Sequence, residues 1–486
     1  MSSDRRDFLK TAALGTGIIA TGLWACNSKR NSVPWASNYT QKFNMCGYSA
    51  QKLPVVRIGF IGLGNRGKGA VIRMAHIDGV EIKALCDKRI AGVSESQKTL
   101  ASFGLPKAKE FYGREDSWKE LCEMEDLDLI YICTPWSHHT PMSVYSMEKG
   151  KHVAVEVPAA KTIDECWQLV ETSEKTKRYC MMLENCCYDF FELMTLNMAR
   201  QGYFGDLVHG EAAYIHTLMG MNFAKPKDDQ QVDNGYTDMW RLRENMRNGN
   251  LYPTHGLGPI CQTMNINRGD QMEYLTSLST KDFQMAEKAK ELAATDSFYN
   301  EFSGKTYRGN MNTTLVRTYK GRSIMIQHDV TSPRPYSRIH LLSGTKGMAR
   351  KWPSPARIAL GNNYLNEEEL KEAEEKYTPE IVKRVGEMAK KVGGHGGMDF
   401  IMDWRLIDCL RNGLPLDQDV YDAALWSSIA PLSEWSVANR SNSVDVPDFT
   451  CGKWKTNQPI ALTLKGGGTT EVKSLHKADA SKQLNI

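Results

Sequence analysis

Gly62, Gly64 and Gly67 stand in G-x-G-x-x-G spacing directly after the apolar run that ends at Phe60 and Ile61, and Asp87 follows 20 residues after Gly67. These residue types hold a phosphorylated ligand rather than break a bond. Gly62 lets the chain turn sharply out of a strand, Gly64 lets the backbone approach a pyrophosphate, and Gly67 lets the next helix pack on the sheet. The helix N-terminus then offers unpaired N–H groups and a positive dipole end to the phosphates. Asp87, closing the next apolar run, is placed to accept both ribose hydroxyls and to repel a 2′-phosphate, so the expected cofactor is NAD rather than NADP. Glycine-rich turns are common. The reading rests on the strand before the triplet, the helical segment Ala70 to His76 after it, and the acid at the end of the following strand.

The elements that must position this loop alternate. From Leu53 to about Cys180, the apolar strands VVRIGFIG, EIKALCD, LDLIYICTP, HVAVEVP and YCMML are separated by helices. Near-continuous apolar strands between helices predict a parallel sheet covered on both faces. After Glu184 the texture changes to longer runs, LVHGEAAYIH, MEYLTSLST, TTLVRTYKG, SIMIQHDV and SRIHLLSGTKG, several of them alternating apolar and polar. These predict an open, mostly antiparallel sheet. Glu367 to Lys391, Phe400 to Asn412 and Val420 to Asn439 read as helices. The fold class is therefore α/β, an N-terminal Rossmann doubly wound sheet followed by a C-terminal α+β domain. The expected boundaries are a signal segment at 1–32, a tether at 33–52, the nucleotide-binding domain at 53–183, the substrate domain at 184–455 and a tail at 456–486.

The totals exclude several classes. The chain has 486 residues, 41% of them hydrophobic, and 61 basic against 57 acidic residues give a net charge of +4 with no long basic run. Nucleic acid is not an expected partner. The 12 cysteines include no C-x-x-C pair, and His138 and His139 are adjacent rather than a helical turn apart, so no metal is expected. At the N-terminus Arg5 and Arg6 precede Phe8, Leu9 and the run TAALGTGIIATGLWAC. That pattern resembles a twin-arginine export signal, and Leu23 to Cys26 resembles a lipobox. The expected location is the periplasm or the cell envelope, with a lipid anchor at Cys26. A transmembrane anchor is the alternative, but the run is short and rich in Gly and Thr.

CTPWSHHTPM (133–142) and EVPAA (156–160) beside this nucleotide-binding half resemble the glucose–fructose oxidoreductase/inositol dehydrogenase-like family. In that family the fourth strand ends in a Thr-Pro turn and the next in Glu-Lys-Pro. Here Thr134-Pro135 keeps the first, while Val157 replaces the lysine that serves proton transfer in the family's dehydrogenases. In the second half, NGNLYPTHGLGP (248–259), Asn267 to Asp270, Glu184-Asn185 with Tyr188, Trp240-Arg241, SPRPYSR (332–338) and GGHGGMDFIMDW (393–404) are similar to glycoside hydrolase family 109. The ordered set covers nearly the whole mature chain.

The resemblance implies an NAD-dependent α-N-acetylgalactosaminidase, an exception to the usual pair of flanking carboxylates. It implies oxidation at sugar C3, loss of the C2 proton, departure of the C1 oxygen, addition of water and return of the hydride, with NAD recycled. Such a scheme needs a base at the C3 hydroxyl, a base at C2 and a donor for the leaving oxygen, work suited to histidine and tyrosine. The expected catalytic residues are His255 at the C3 hydroxyl, Tyr252 beside the sugar, and Tyr188 at C2. The implied cofactor contacts are Gly62, Gly64, Asn65, Arg66, Gly67, Asp87, Trp136, Ser137, His138, His139, Glu156, Val157, Asn185 and Tyr252. The implied substrate contacts are Tyr214, Arg241, Tyr252, Pro253, Thr254, His255 and Tyr336, with Arg243 a competitor for Arg241. The glycines at 393, 394, 396 and 397 are expected to permit close packing at a helix start.

The expected partner is a glycan with a terminal N-acetylhexosamine, and the resemblance implies a homodimer. Two other classes remain in view. One is an NAD-linked sugar dehydrogenase, disfavoured by Val157. The other is a cofactor-bound carbohydrate-binding protein without catalysis.

Overall fold

The computed structural model describes residues 39–225, 237–459, 461 and 463–475. The first layer alternates as the sequence predicts: β1 (Val56–Ile61), α1 (Asn65–Ala75), β2 (Val80–Cys86), α2 (Ile90–Ser102), β3 (Lys109–Phe111), α3 (Ser117–Cys122), β4 (Leu129–Ile132), α4 (His139–Glu148), β5 (His152–Val155), α5 (Ile163–Thr176) and β6 (Cys180–Met182). The strands pair in parallel in the order β3-β2-β1-β4-β5-β6. Every residue of β4 and β5 is buried, which is why these strands carry no polar alternation. The order reverses between β1 and β4, so a crevice opens at their C-terminal ends, where ligands of such sheets bind. β3 is too short and polar to stand out in the sequence.

The second layer follows: α6 (Phe190–Arg200), β7 (Leu207–Ile215), α7 (Thr254–Thr263), β8 (Met272–Ser279), β9 (Asn312–Thr318), β10 (Ser323–Asp329), β11 (Ser337–Gly344), β12 (Gly347–Arg350), β13 (Arg357–Leu360), β14 (Asn363–Tyr364), α8 (Met398–Asn412), α9 (Val420–Ala438) and β15 (Val444–Asp445). Its nine strands lie in the order β14-β13-β12-β11-β7-β10-β9-β8-β15. Only the β7–β10 pair is parallel, and the other neighbours are antiparallel. Helix α7 packs on β7 and β11, and α9 on β8. The opposite face leaves Tyr274, Leu278 and Leu315 exposed, the solvated side that the alternation in these strands encodes. The charged stretch from Glu367 is two helices, Glu367–Tyr377 and Glu380–Val392. Pro379 separates them because the residue before a proline avoids helical backbone.

Two expected boundaries need correction. The described part of the expected tether, 39–52, is docked rather than free. Tyr39 donates to Glu174, Tyr179 Oη accepts from the Ala50 amide at 2.7 Å, and Met45 and Ala50 are buried. The expected tail is likewise folded. Asp408 accepts from the amide of Gly468 and the hydroxyl of Thr470, Trp404 donates to the Thr470 carbonyl, and Val472 bridges to Ile77. Polar and backbone bonds anchor both segments, so neither shows an apolar pattern. Helix α8, from the expected substrate domain, packs back on α1 and β1. The signal segment at 1–32 and Cys26 lie outside the described residues. Among the described residues no helix is long and apolar enough to cross a membrane.

Candidate functional site

One cavity of about 780 Å³ runs from the glycine loop to α7. At one end Gly62 turns with φ +87°, and a side chain on Gly67 would fall 1.8 Å from the Gly62 carbonyl oxygen. Gly67 is therefore not on the cavity wall: it seats α1 against the strand end. A side chain on Gly64 would meet nothing within 4 Å, so the backbone there faces open space. No side chain caps the first turn of α1 and no acid lies in it, leaving its N–H groups for an anion. Asp87 accepts from the Leu63 and Arg89 amides at 2.6 and 2.8 Å, and lines the cavity beside the loop. This donor set fits the pyrophosphate and ribose of a dinucleotide.

Next along the wall are Asn65, Arg66, Glu156, Val157 and Asn185. Arg66 reaches Glu156 at 2.7 Å and Asp399 at 2.9 Å. Asn185 donates to the other oxygen of Asp399 at 2.5 Å. Trp136, His138 and His139 line the same stretch, while Ser137 points away and is exposed. The ring nitrogens of His139 each lie 2.7 Å from a backbone carbonyl, those of Pro158 and Thr134. His139 thus ties together the two turns that follow β4 and β5.

The far end is aromatic. Arg241 is buried with its guanidinium 4.1 Å from the Trp136 ring centre and 4.6 Å from that of Tyr252. The competing Arg243 instead pairs with Glu301 at the exposed surface. Arg308 and His328 lie buried behind this end, and the Leu251 amide, one residue before Tyr252, donates to His328 Nδ1 at 3.1 Å. A side chain on Gly256 would fall 2.4 Å from the Ala213 nitrogen. This close approach of α7 to β7 brings His255 to within 5.4 Å of Tyr214, ring to ring.

His255 Nδ1 meets the carboxylate of Glu184, 2.9 Å from Oε1 and 3.0 Å from Oε2. Glu184 has no solvent exposure. Burial alone would raise its pKa, but the His255 ring and the Cys186 amide hold it below the usual carboxylate value. With Nδ1 engaged, the other ring nitrogen of His255 is left for a ligand. Across from it Tyr214 Oη lies 3.1 Å from Nδ1 of His216, a cavity residue that the sequence does not single out. Burial, then the neighbouring His255, His395 and Arg241, push His216 below its usual value, toward the neutral ring. Glu184, Cys186 and His255 also set one donor atom each within 4.8 Å. Without a metal, burial pushes the Cys186 thiol well up.

Four expected site residues lie off the wall, besides Gly67 and Ser137. Tyr188 is buried and its hydroxyl is directed to Asp417 at 3.4 Å. Burial and the Asp417 charge raise its pKa well above that of a free phenol, so it is a core residue and not the base at C2. Pro253 and Thr254 are buried at the start of α7, where they hold the turn that presents Tyr252 and His255. Tyr336 packs edge-on against Tyr214 and His216 and accepts from Arg338, one layer behind the cavity.

His395 was expected only as part of a packing segment, yet it lines the cavity. The glycines at 393, 394, 396 and 397 take φ values of +91°, +88°, +74° and +109°, a path that carries the His395 ring over the cleft. The packing reading holds at Gly394 and Gly397, where a side chain would fall 2.7 Å from Asp399 Cβ and 2.9 Å from the Ala389 carbonyl carbon, and fails at Gly393 and Gly396, where it would meet nothing within 4 Å.

The comparisons with known proteins agree with this geometry. Residues 188–456 match the family model described as glycosyl hydrolase 109, C-terminal domain. Residues 56–184 match the oxidoreductase family, NAD-binding Rossmann fold. An alpha-N-acetylgalactosaminidase of Bacteroides fragilis is 51% identical over 416 residues, covering 85% of this chain and 96% of its own. One of Shewanella oneidensis is 45% identical over 464 residues, covering 94% and 98%. The scyllo-inositol dehydrogenase of Lactobacillus casei with bound NAD(H) and scyllo-inositol superposes with a TM-score of 0.57 at 14% identity, over 80% of this chain and 99% of that one. That likeness speaks to the fold alone. With relatives aligned across nearly their full length and a family model over most of the second half, the chain belongs to glycosyl hydrolase family 109: it is a glycoside hydrolase built on an NAD-binding oxidoreductase fold.

Proposed function

We propose that this glycoside hydrolase removes terminal α-N-acetylgalactosamine from glycans and keeps one NAD in place from turnover to turnover. The observation that carries the reading is the Glu184–His255 pair, set in the same cavity as the glycine loop. A protein that only bound sugar would have no use for a fully buried carboxylate spent on orienting one imidazole. NAD, when bound, supplies the reversible oxidation at sugar C3 that acidifies the C2 proton.

The chain's own residues carry the protons. The free ring nitrogen of His255 takes the C3 hydroxyl proton, and Glu184 stabilises the imidazolium that forms. Tyr214 gives its hydroxyl proton to the neutral His216 ring 3.1 Å away and, as phenolate, takes the place expected of Tyr188 as base at C2. Arg241, fixed against the stacked Trp136 and Tyr252 rings, donates to an acceptor oxygen of the sugar. His395 donates to the departing C1 oxygen and then accepts a proton from the entering water. Val157 is buried where a dehydrogenase of this fold would carry lysine, so carbinol proton transfer rests with His255.

The test is a panel of p-nitrophenyl α- and β-glycosides, run on protein as purified without added NAD. Many turnovers on the α-N-acetylgalactosaminide are expected. Release from no glycoside, or activity that needs added NAD and accumulates NADH, contradicts the reading. Arg5, Arg6 and the run to Cys26 support export with an envelope anchor. Fractionation of the wild type and Cys26→Ser is expected to move the protein from membrane to soluble periplasm.

A further inference from the structure

His395 adopts φ +47°, a left-handed backbone conformation that costs a side-chain-bearing residue free energy and that persists where the surroundings enforce it. Its side chain is 55% exposed, so packing does not fix the ring. What fixes it is Asp399, one helical turn on, whose Oδ2 lies 2.9 Å from His395 Nδ1. Asp399 is itself almost fully buried at the start of α8 and is held from both sides. Asn185 donates to Oδ1, Arg66 donates to Oδ2 at 2.9 Å, and Arg73 lies 3.5 Å from Oδ2. Arg66 and Asn185 both line the cavity beside the glycine loop. One carboxylate therefore joins the cofactor end of the cavity to the histidine over its mouth. The Arg66 guanidinium also lies 3.1 Å from the same Nδ1. It offers only donors, so of the two groups beside Nδ1 only Asp399 Oδ2 can accept an Nδ1–H bond.

We propose that Asp399 is a positioning residue for His395: it takes the Nδ1–H bond, so that Nε2 is the nitrogen that exchanges a proton with the leaving oxygen. The inference rests on the reading of His395 as proton donor to that oxygen. The proton balance is simple. The imidazolium form of His395 gives its Nε2–H to the C1 oxygen as the C1–O bond breaks, leaving the neutral ring with its proton on Nδ1, and Nε2 regains a proton from the water that later adds.

The experiment compares Asp399→Ala, Asp399→Asn and His395→Ala with the wild type on two N-acetylgalactosaminides. One carries 2,4-dinitrophenol, which departs without a proton, and the other carries a sugar alcohol, which does not. Asp399→Ala is expected to lower kcat/KM by about 100-fold on the sugar aglycone and by less than about tenfold on the dinitrophenyl glycoside. His395→Ala should share that pattern, and Asp399→Asn should fall between. Bound NAD, measured after denaturing the protein, should stay at the wild-type ratio in His395→Ala, and all rates are taken per bound NAD because Asp399 also holds Arg66 and Asn185 beside the glycine loop. A second readout is independent of activity: ¹⁵N-histidine spectra should place the neutral His395 proton on Nδ1 in the wild type and not in Asp399→Ala. Equal losses on both substrates per bound NAD, or an unchanged tautomer, overturns the inference. If the wild type cleaves neither glycoside, the glycosidase reading fails instead, and the spectra alone still decide whether Asp399 orients the ring.

Discussion

Glu184 and His255 meet across the two halves of the molecule, the carboxylate 3.0 Å from the imidazole Nδ1. Glu184 follows β6, the last strand of the nucleotide-binding sheet, while His255 stands in the first turn of α7 beside β7. The pair makes the proton chemistry depend on how the two layers are packed. Replacing Glu184 with Gln keeps the volume but leaves the amide to hold either tautomer, and removes the charge that supports an imidazolium. The expected result is a fall of about 10³-fold in kcat on a p-nitrophenyl glycoside, with bound NAD retained. Steady-state kinetics on the purified variant check it.

Gly67→Ala tests the seating of α1. The new methyl would stand 1.8 Å from the Gly62 carbonyl oxygen, which is backbone and cannot rotate aside. The helix must lift from the strand end, at a cost of about 3 kcal/mol. Lower thermal stability and loss of bound NAD should appear together. A variant that keeps its NAD and its melting temperature would show that α1 is not packed as described.

Asp87→Ala removes the acceptor of the Leu63 and Arg89 amides along with the group placed for the ribose. NAD content as purified is expected to fall at least about tenfold, the size of one charge-assisted hydrogen-bond site. Adding NAD should restore part of the activity, and NADP should gain relative to NAD. Calorimetric titration of the emptied protein measures both.

Acid should weaken the fold in two stages. Burial, helped by Arg178 beside His152 and Lys351 beside His340, pushes both imidazoles down to about 3. The unfolded chain therefore takes up protons first as pH falls through about 6.5. Stability is full above that value and is lost toward pH 3, by about 1.4 kcal/mol per pH unit for each group. Glu192 adds a second loss below its ordinary value of 4.5. Burial opposes ionisation there, but Arg338 and Lys351 win and hold it at about 2. Thermal midpoints measured from pH 8 to pH 4 should decline from near pH 6.5, and a flat profile to pH 5 would contradict the neutral buried state of these histidines.

Arg241 tests the aromatic end. Its guanidinium lies against both the Trp136 and Tyr252 rings, which stack on each other, an arrangement a lysine cannot reproduce because an ammonium neither stacks nor forks. Arg241→Lys is expected to raise KM about tenfold or more with a smaller change in kcat. Arg243→Lys, at the surface with Glu301, should leave both near wild type.

The parts of the site written locally in the chain were legible before the structure. The glycine loop and Asp87 obey rules of strand, turn and helix within about 30 residues, and the Tyr252–His255 turn forms the mouth of α7. Tyr188 was misread for a physical reason. It sits next to Glu184 and Asn185 in sequence, but the Asn185–Tyr188 turn sends its phenol toward Asp417 instead of the cavity. The glycines around His395 draw the eye to backbone packing, and only the fold shows the ring swung over a cleft built from residues 140 or more positions away. His216 stands two residues after Tyr214 at the end of β7, and that spacing alone puts both on one side of the chain. The docked segments at 39–52 and 463–475 are held by backbone and polar bonds, which leave no periodic signature.

Hydrolysis of the α-N-acetylgalactosaminide in heavy water, followed by NMR of the released sugar, bears most directly on the central claim that cleavage proceeds through loss of the C2 proton. The account predicts deuterium at C2 of the product, with no NADH accumulating over many turnovers. Product that keeps its full complement of hydrogen at C2 would contradict it.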